Sequence, residues 1–254
     1  MSRYFLELSY KGTAYSGFQV QANANSVQAE IEKAFLIYFR QPVPMTGASR
    51  TDAGVHARQN YFHFDFEEPV VPELVYRLNA ILPQDISIGR IIPVPAKSHC
   101  RFDAESREYR YYIYGKKDPF LLDRAYFYPY PMEWKLLQAA AARIKEMTEF
   151  GAFCKRNSQV KHHHCTIFES EWQKEGECLV YRIRANRFLR GMVRGLTGTM
   201  LQTGRGSLSL EEFEKIATEK NRSKVNFNVP ARGLFLENVR YPEGLMGGCG
   251  DVEM

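Results

Sequence analysis

Several common features are missing from this 254-residue chain, and each absence narrows the kind of protein that it encodes. No uncharged apolar run approaches the roughly 18 residues that a membrane-spanning helix needs, so no membrane segment is expected. The five cysteines are odd in number, widely spaced and without a Cys-x-x-Cys pair, which favours reduced thiols in a cytoplasmic protein. Residues 1–20 carry Arg3, Glu7 and Lys11 amid polar residues, so we expect no secretory leader.

The composition is that of an ordinary globular protein with a mild basic excess. Hydrophobic residues make up 44% of the chain, and lysine and arginine outnumber aspartate and glutamate by 34 to 29, a net charge of +5. A chain of this length can bury about 70–75% of its unfolded surface, in one large domain or two small ones. The basic excess is compatible with a polyanionic ligand, but many basic proteins bind no nucleic acid.

Hydrophobic periodicity predicts two successive groups of strands and helices. The first group has strands over 3–10, 61–66 and 86–94, one helix capped by Ser26 and one with Pro72 in its first turn. The second has strands over 107–114, 166–173, 178–185 and 233–241, and helices over 133–147, over 188–203 and after a capping box of Ser209 and Glu212. This order predicts an α+β protein with a domain of residues 1–103, a domain of residues 104–243 and a flexible tail of residues 244–254.

Residues 47–57 concentrate the residue types that a catalytic carboxylate needs. Asp52 lies among small residues, with Arg50 before it and His56 after it. The neighbouring cation favours the ionised carboxylate, and an ionised, positioned aspartate can act as a nucleophile or a general base. The same pattern is typical of a surface turn with Arg50 as a solvated partner, and the local residues leave both interpretations open.

Five segments in order along residues 3–242 resemble the motifs of the TruA family of tRNA pseudouridine synthases. Residues 47–56 resemble the catalytic motif of that family, which reads Gly-x-Gly-Arg-Thr-Asp-x-Gly-Val-His. Residues 10–21 followed by 26–28, and residues 107–111, 186–194 and 230–234, resemble the other motifs of the family. One such motif would be weak evidence, whereas five in the order of the family are strong.

The resemblance implies a fold, a reaction and a partner. The implied fold has two similar α/β-sandwich halves of the RRM or ferredoxin-like kind, which share a continuous central antiparallel sheet with a basic active-site cleft. The implied enzyme is a cytoplasmic homodimer without cofactor or metal, which isomerises uridines 38, 39 and 40 in the anticodon stem-loop of tRNA to pseudouridine. Some positions depart from the family pattern without removing a proposed catalytic group: Lys11, Phe18, Ser49 and Asn60.

The resemblance also implies roles for single residues. Asp52 is expected to be the essential catalytic residue, Arg194 to pair with its carboxylate, and Tyr109 to be the active-site tyrosine. A tyrosine ring can stack on uracil, which is worth about 1–3 kcal/mol per base, although core packing is the ordinary role of a strand tyrosine. Arg50 and His56 are expected to contact the substrate, with a structural role for His56 equally compatible. The resemblance leaves open whether Asp52 attacks the base, attacks C1′ or removes the proton at C2′.

Two basic segments are further candidates for RNA contact. Arg187, Arg190 and Arg194 have helical spacing, which predicts a phosphate-binding stripe. The segment His162–Cys165 invites a metal-binding interpretation, but adjacent strand residues point to alternate sides, so a basic loop on RNA is preferred. Two rival functions follow: a non-catalytic RNA-binding or RNA-folding protein on the same scaffold, and a metal-dependent hydrolase that uses the His162–Cys165 cluster.

Overall fold

The computed structural model of this mixed α/β protein describes residues 1–67, 69–71, 73–156, 158 and 160–246. The chain divides into two compact units, Met1–Glu105 with the residues from Leu236 onward, and Ser106–Phe235. The α+β class is confirmed, while the boundary after residue 103, the similarity of the two halves, their shared sheet and the cleft stay predictions. Pro72 and residues 247–254 of the expected tail lie outside the described residues.

The first unit has an antiparallel sheet against which two helices pack. Its elements are β1 (Ser2–Tyr10), α1 (Val27–Phe39), β2 (Thr46–Gly47), β3 (His56–Phe66), α2 (Glu73–Ile81) and β4 (Ile86–Val94), with a 3-10 turn over Gly12–Ala14. β1 pairs with β3 on one side and with β4 on the other, and the short β2 pairs with β3. All three predicted strands and both predicted helices are confirmed, and β3 begins earlier than expected, at His56.

Aromatic side chains fill the space between β3 and α1. The Ser26 side chain caps α1, as predicted. Phe35 of α1 lies edge-on to Phe64 with ring centroids 5.2 Å apart, and Phe18 stacks on Phe62 at 4.6 Å. These contacts hold α1 and the segment around Phe18 against the helix-facing side of β3.

In the second unit, β8 lies between two antiparallel neighbours. Its elements are β5 (Ser106–Tyr114), β6 (Tyr126–Phe127), α3 (Trp134–Glu146), β7 (Ile167–Glu175), β8 (Cys178–Ala185), α4 (Met192–Gly204) and α5 (Leu210–Thr218). β8 pairs antiparallel with β5 and with β7, whereas β6 pairs parallel with β5. The expectation of a purely antiparallel sheet is therefore wrong, because the loop of residues 115–125 brings the chain round to run alongside β5 in the same direction. The last strand, β9 (Leu234–Arg240), spans the division between the units.

Two local signals in the second unit are confirmed. Ser209 Oγ accepts a hydrogen bond from the Glu212 N–H at 3.1 Å, and the Glu212 carboxylate accepts one from the Ser209 N–H at 2.9 Å, which completes the predicted capping box. The β7–β8 hairpin turns through Gly176, whose φ is +56°. Among the described residues, no helix combines the length and the apolar content that crossing a bilayer requires.

The helix α4 begins later than the sequence predicts, and this changes the basic stripe. Its first residue is Met192, and the preceding Gly191 has a φ of +73°, which a helix cannot contain. Arg187 and Arg190 therefore lie before α4, and only Arg194 lies on it. The prediction of one helical stripe of three arginines is wrong, because the backbone turns at Gly191 and interrupts the helical spacing.

A buried carboxylate links the strands of the second unit. Glu108 on β5 has 4% of its side chain exposed and accepts hydrogen bonds from Arg182 Nε at 2.8 Å and from Arg110 Nε at 3.3 Å. Burial by itself would raise the pKa of Glu108, but the hydrogen bonds and charges of Arg182 and Arg110 outweigh it, so the pKa is lowered. Ionised Glu108 therefore contributes stability above the ordinary glutamate pKa of about 4.3, and this contribution is lost as the pH falls through the lowered folded-state pKa.

We expect Glu108→Gln to lower the free energy of unfolding at neutral pH by about 2 kcal/mol. This is less than the cost of removing one partner from a fully buried ion pair. The reason is that Arg182 keeps Glu169 and Glu171 as partners. Urea denaturation at several pH values should show the difference from wild type shrinking in the acid range. Glu175→Gln, which changes a more exposed partner of Arg110, is the matched control and should cost less than about 1 kcal/mol. A difference that did not depend on pH would contradict this account.

Candidate active site

Residues 48–55 form the loop between β2 and β3, and this loop carries Asp52. Its start continues the pairing with β3, since the Ala48 N–H donates to the Tyr61 carbonyl at 2.8 Å. Its tip is a tight turn in which the Asp52 carbonyl accepts a hydrogen bond from the Val55 N–H at 3.1 Å, with Gly54 at a φ of +77°. The Asp52 side chain is half-buried in this turn.

The segment of residues 12–18 holds the loop from one side. The Gly12 N–H donates to His56 Nδ1 at 3.1 Å, and the Phe18 N–H donates to the Thr51 carbonyl at 3.1 Å. The approach at Gly12 is so close that an added Cβ would lie 2.0 Å from the Val55 carbonyl oxygen. Backbone therefore packs directly on backbone, and the position of Asp52 depends on a glycine distant in sequence.

Buried polar side chains hold the same loop at its base. Tyr10 Oη and Thr51 Oγ1 are hydrogen-bonded at 2.8 Å, and Asn60 Nδ2 donates to the Ser49 carbonyl at 3.0 Å. Ser49 Oγ is buried and has no hydrogen-bond partner among the described residues. Sequence reasoning missed Gly12, Thr51 and Asn60 as positioning residues. The asparagine directly before the aromatic strand of residues 61–66 was a usable signal, because a polar side chain that is buried there needs a hydrogen-bond partner.

The other two candidates on this loop differ in exposure. Arg50 is exposed at the tip, where a substrate contact requires it to be. His56 is 1% exposed, and its Nδ1 accepts the Gly12 N–H. Of the two interpretations of His56, this geometry favours the structural one, and a substrate contact by His56 stays a prediction.

Tyr109 lies on β5 in the second unit, two residues before Tyr111, whose role is structural. Its side chain is 8% exposed, and its ring meets Phe188 edge-on with centroids 4.9 Å apart. Tyr111, two residues on, is fully buried, and its hydroxyl donates to the Pro230 carbonyl at 2.6 Å. Burial raises the pKa of Tyr111, so this tyrosine stays protonated and belongs to the core.

Arg194 lies on α4, and backbone carbonyls orient its guanidinium. Nε donates to the Val229 carbonyl at 2.9 Å, and Nη2 lies 3.5 Å from the Phe227 carbonyl. The side chain is half-buried, so Arg194 is not a solvated surface charge. Asp52 belongs to the first unit and Arg194 to the second, and their pairing stays a prediction.

The structure brings together the two basic segments of the second unit. Arg187 Nη1 lies 3.0 Å from His162 Nε2, and the Lys155 N–H donates to the Arg190 carbonyl at 2.8 Å. The chain just before α4 therefore lies against Lys155 and His162. Arg187 thus shares a basic surface with His162.

The histidines of the segment 162–165 do not converge on a common point. The rings of His162 and His164 stack with centroids 6.0 Å apart, while His163 Nδ1 lies 3.8 Å from Glu149 Oε1. Burial raises the pKa of the Cys165 thiol to about 11, so it is protonated at neutral pH. In the part of the chain that the structure describes, these side chains do not form a metal-binding group.

Known proteins resemble this chain over nearly its whole length. The sequence family described as tRNA pseudouridine synthase matches residues 147–242. A tRNA pseudouridine synthase A from Parabacteroides distasonis is 44% identical over 248 residues, which cover 96% of this chain and 98% of the relative. The chain belongs to the tRNA pseudouridine synthase A family. Other members of the family, from Bacteroides fragilis and Staphylococcus aureus, are 42% and 33% identical over 246 and 244 residues, which cover 98% and 92% of their own lengths.

Membership in the tRNA pseudouridine synthase A family confirms the family that the five sequence motifs predict. The roles expected for single residues stay predictions, and these are the residues concerned: Asp52, Tyr109, Arg194, Arg50, His56, Arg187 and Arg190. The structure adds residues that position the first of them, since Gly12, Thr51 and Asn60 hold the loop on which Asp52 lies.

Proposed function

We propose that this chain is an isomerase that converts uridines 38, 39 and 40 in the anticodon stem-loop of tRNA to pseudouridine, with Asp52 as the essential carboxylate. The observation that carries the proposal is the Asp52 turn itself, held by the Gly12 contact to His56 and by the Thr51 contact to Tyr10, in a tRNA pseudouridine synthase A family member. We further propose that the enzyme is a cytoplasmic homodimer.

The reaction exchanges one bond of the uracil for another. The N1–C1′ bond breaks, the base turns, C5 bonds to C1′, the proton on C5 leaves to solvent, and N1 takes up a proton. Nothing is oxidised or reduced, so the isomerisation needs no redox cofactor. What it needs is a carboxylate in a fixed place, and a group that is held before the substrate arrives loses little free energy to reorganisation.

The loop geometry fits the part that we assign to Asp52. Its backbone is fixed by hydrogen bonds on both sides of the turn, while its side chain is only half-buried and a substrate can reach it. The exposed Arg50 beside it can bind a phosphate or hold the flipped nucleotide, since extruding a base from a stacked stem costs a few kcal/mol. Asp52 attacks the base, attacks C1′ or removes the C2′ proton, and all three require this fixed position.

The second unit supplies the remaining groups. We assign Arg194 as the cation that orients Asp52, because the Val229 carbonyl already fixes the direction of its guanidinium. We assign Tyr109 as the surface on which the uracil stacks, because its ring keeps a small exposed fraction, unlike Tyr111. The contact of Arg187 with His162 supports a phosphate-binding surface that reads RNA shape rather than base sequence.

Tritium release tests the function. Unmodified tRNA carrying [5-³H]uridine loses one tritium for each uridine isomerised, because C5 expels its hydrogen when it bonds to the sugar. Three tRNAs that each keep a single uridine at position 38, 39 or 40 should all release tritium, and a tRNA with cytidine at all three positions should release none. Tight tRNA binding without release from any substrate would favour the rival RNA-binding protein.

A further inference from the structure

Two histidines and a cysteine meet in the first unit, at a place that the proposed isomerisation does not use. His63 lies on β3, and His99 and Cys100 lie in the turn after β4. One ring nitrogen from each histidine and the cysteine sulfur all lie within 4.8 Å of one another. His63 Nδ1 and Cys100 Sγ are 3.1 Å apart. Within the described residues, this is the group of side chains with the spacing of metal ligands.

We propose that His63, His99 and Cys100 form a zinc site with three protein ligands and a fourth position for water. A thiolate with two imidazoles is a donor set that zinc prefers over hard cations such as magnesium. In a tetrahedral site with ordinary zinc bond lengths, the nitrogen and sulfur ligands lie about 3.5 Å apart. The His63–Cys100 pair therefore has to open by about 0.4 Å to admit the ion, and ligand atoms as far as 4.8 Å apart have to close toward the same spacing.

Hydrogen bonds to the backbone and one ring contact hold the turn that carries His99 and Cys100. The rings of His63 and His99 meet edge-on with centroids 4.5 Å apart, and the backbone N–H of His99 donates to Asp103 Oδ2 at 2.7 Å. The Tyr241 hydroxyl donates to the Cys100 carbonyl at 2.6 Å, which fixes the backbone of the turn. Ligands that are fixed before binding lose little conformational entropy when the ion arrives.

Charges of both signs lie near the three ligands: Arg3 and Arg101 disfavour a cation there, whereas Asp65 and Asp103 favour one. The guanidinium of Arg3 is engaged by the Asp65 carboxylate through two hydrogen bonds of 2.7 Å each. Zinc binds the thiolate, so the thiol proton of Cys100 passes to solvent, and no atom is oxidised.

The site has a structural consequence. Cys100 Sγ donates to the Thr46 carbonyl at 3.1 Å, so a hydrogen bond already docks the turn on β2. Zinc would tie the turn of residues 95–103 to β3 by coordinate bonds. Because the ion binds the folded chain, it should raise the melting temperature without taking part in the isomerisation.

Zinc titration of the purified, reduced and metal-stripped full chain, in competition with a chromogenic chelator, tests the proposal. We expect wild type to bind one zinc ion per chain and Cys100→Ala to bind more weakly by at least about 100-fold, the upper end of the loss seen when only a partner of a ligand is removed. Cys178→Ala removes a buried thiol of the second unit and is the matched control, with zinc affinity equal to wild type. Zinc should raise the melting temperature of wild type and of Cys178→Ala only, and magnesium should raise none of them.

Further variants keep the test decisive if Cys100→Ala folds poorly. His99→Asn changes a partly exposed ligand and should also lose zinc, whereas His162→Ala should retain it. Cobalt in place of zinc should show a thiolate-to-metal charge-transfer band in wild type that Cys100→Ala lacks. Absence of zinc uptake by wild type, or an affinity equal to wild type in both Cys100→Ala and His99→Asn, would overturn the site and leave a hydrogen-bonded thiol and imidazole.

Discussion

Replacing Asp52 by asparagine is expected to slow pseudouridine formation by about 10⁴-fold, with tRNA affinity nearly unchanged. Asparagine has the size and shape of aspartate, and the loop is held by its backbone and by Thr51, so the turn should keep its conformation. What is lost is the negative oxygen that attacks the substrate or accepts its proton. The effect should therefore fall on the chemical step and not on binding.

Single-turnover tritium release at saturating enzyme measures the chemical step of Asp52→Asn, and filter binding measures its tRNA affinity. Asp118→Asn is the control, because it makes the same charge change in the second unit. There the side chain accepts the Phe120 N–H at 2.8 Å, a contact that asparagine can keep. If Asp52→Asn retained a rate within about tenfold of wild type, Asp52 would not be the essential carboxylate.

Gly12→Ala is expected to lower the free energy of unfolding by about 3 kcal/mol and to slow the reaction by about 10²-fold. The added Cβ would lie 2.0 Å from the Val55 carbonyl oxygen and 2.7 Å from its carbon. Both atoms are backbone, so no side chain can rotate away, and either residues 12–18 or the turn of Asp52 must move. The movement also breaks the hydrogen bond from the Gly12 N–H to buried His56.

The control for Gly12→Ala is Gly115→Ala, where the nearest atom to an added Cβ is the Tyr128 carbonyl oxygen at 4.0 Å. That substitution should change stability by no more than about 0.5 kcal/mol. Urea denaturation and single-turnover tritium release should be measured on both variants. Equal stabilities for the two would show that the contact at Gly12 does not hold the Asp52 turn.

The sequence alone could predict the role of Asp52 but not the role of Gly12. Asp52 lies in a short motif whose residues are neighbours in sequence, so the motif identifies it without a fold. Gly12 acts on Val55 and His56 across more than forty residues, and neither composition nor periodicity connects the two segments. The same holds for Asn60. The sequence marks it only as a departure from the family pattern, whereas the structure shows that its Nδ2 donates to the Ser49 carbonyl.

The errors in predicted local structure have a similar origin. Helical spacing runs through Arg187, Arg190 and Arg194, yet the positive φ of Gly191 ends that regularity before α4 begins. The two-residue strands β2 and β6 are too short to show alternation, and they exist through pairing with distant strands. The parallel direction of β6 follows from the path of the loop before it.

The sequence by itself determined the family, the α+β class, the Ser26 cap and the Ser209–Glu212 capping box. Those signals reside in motifs, periodicity and capping, which are interactions between residues close in the chain. Only the tertiary structure decided which side chains hold the Asp52 turn, and which histidines meet a cysteine. His63 and Cys100 lie 37 residues apart in the chain and are joined by a 3.1 Å contact, because β3 and the turn after β4 fold onto one another.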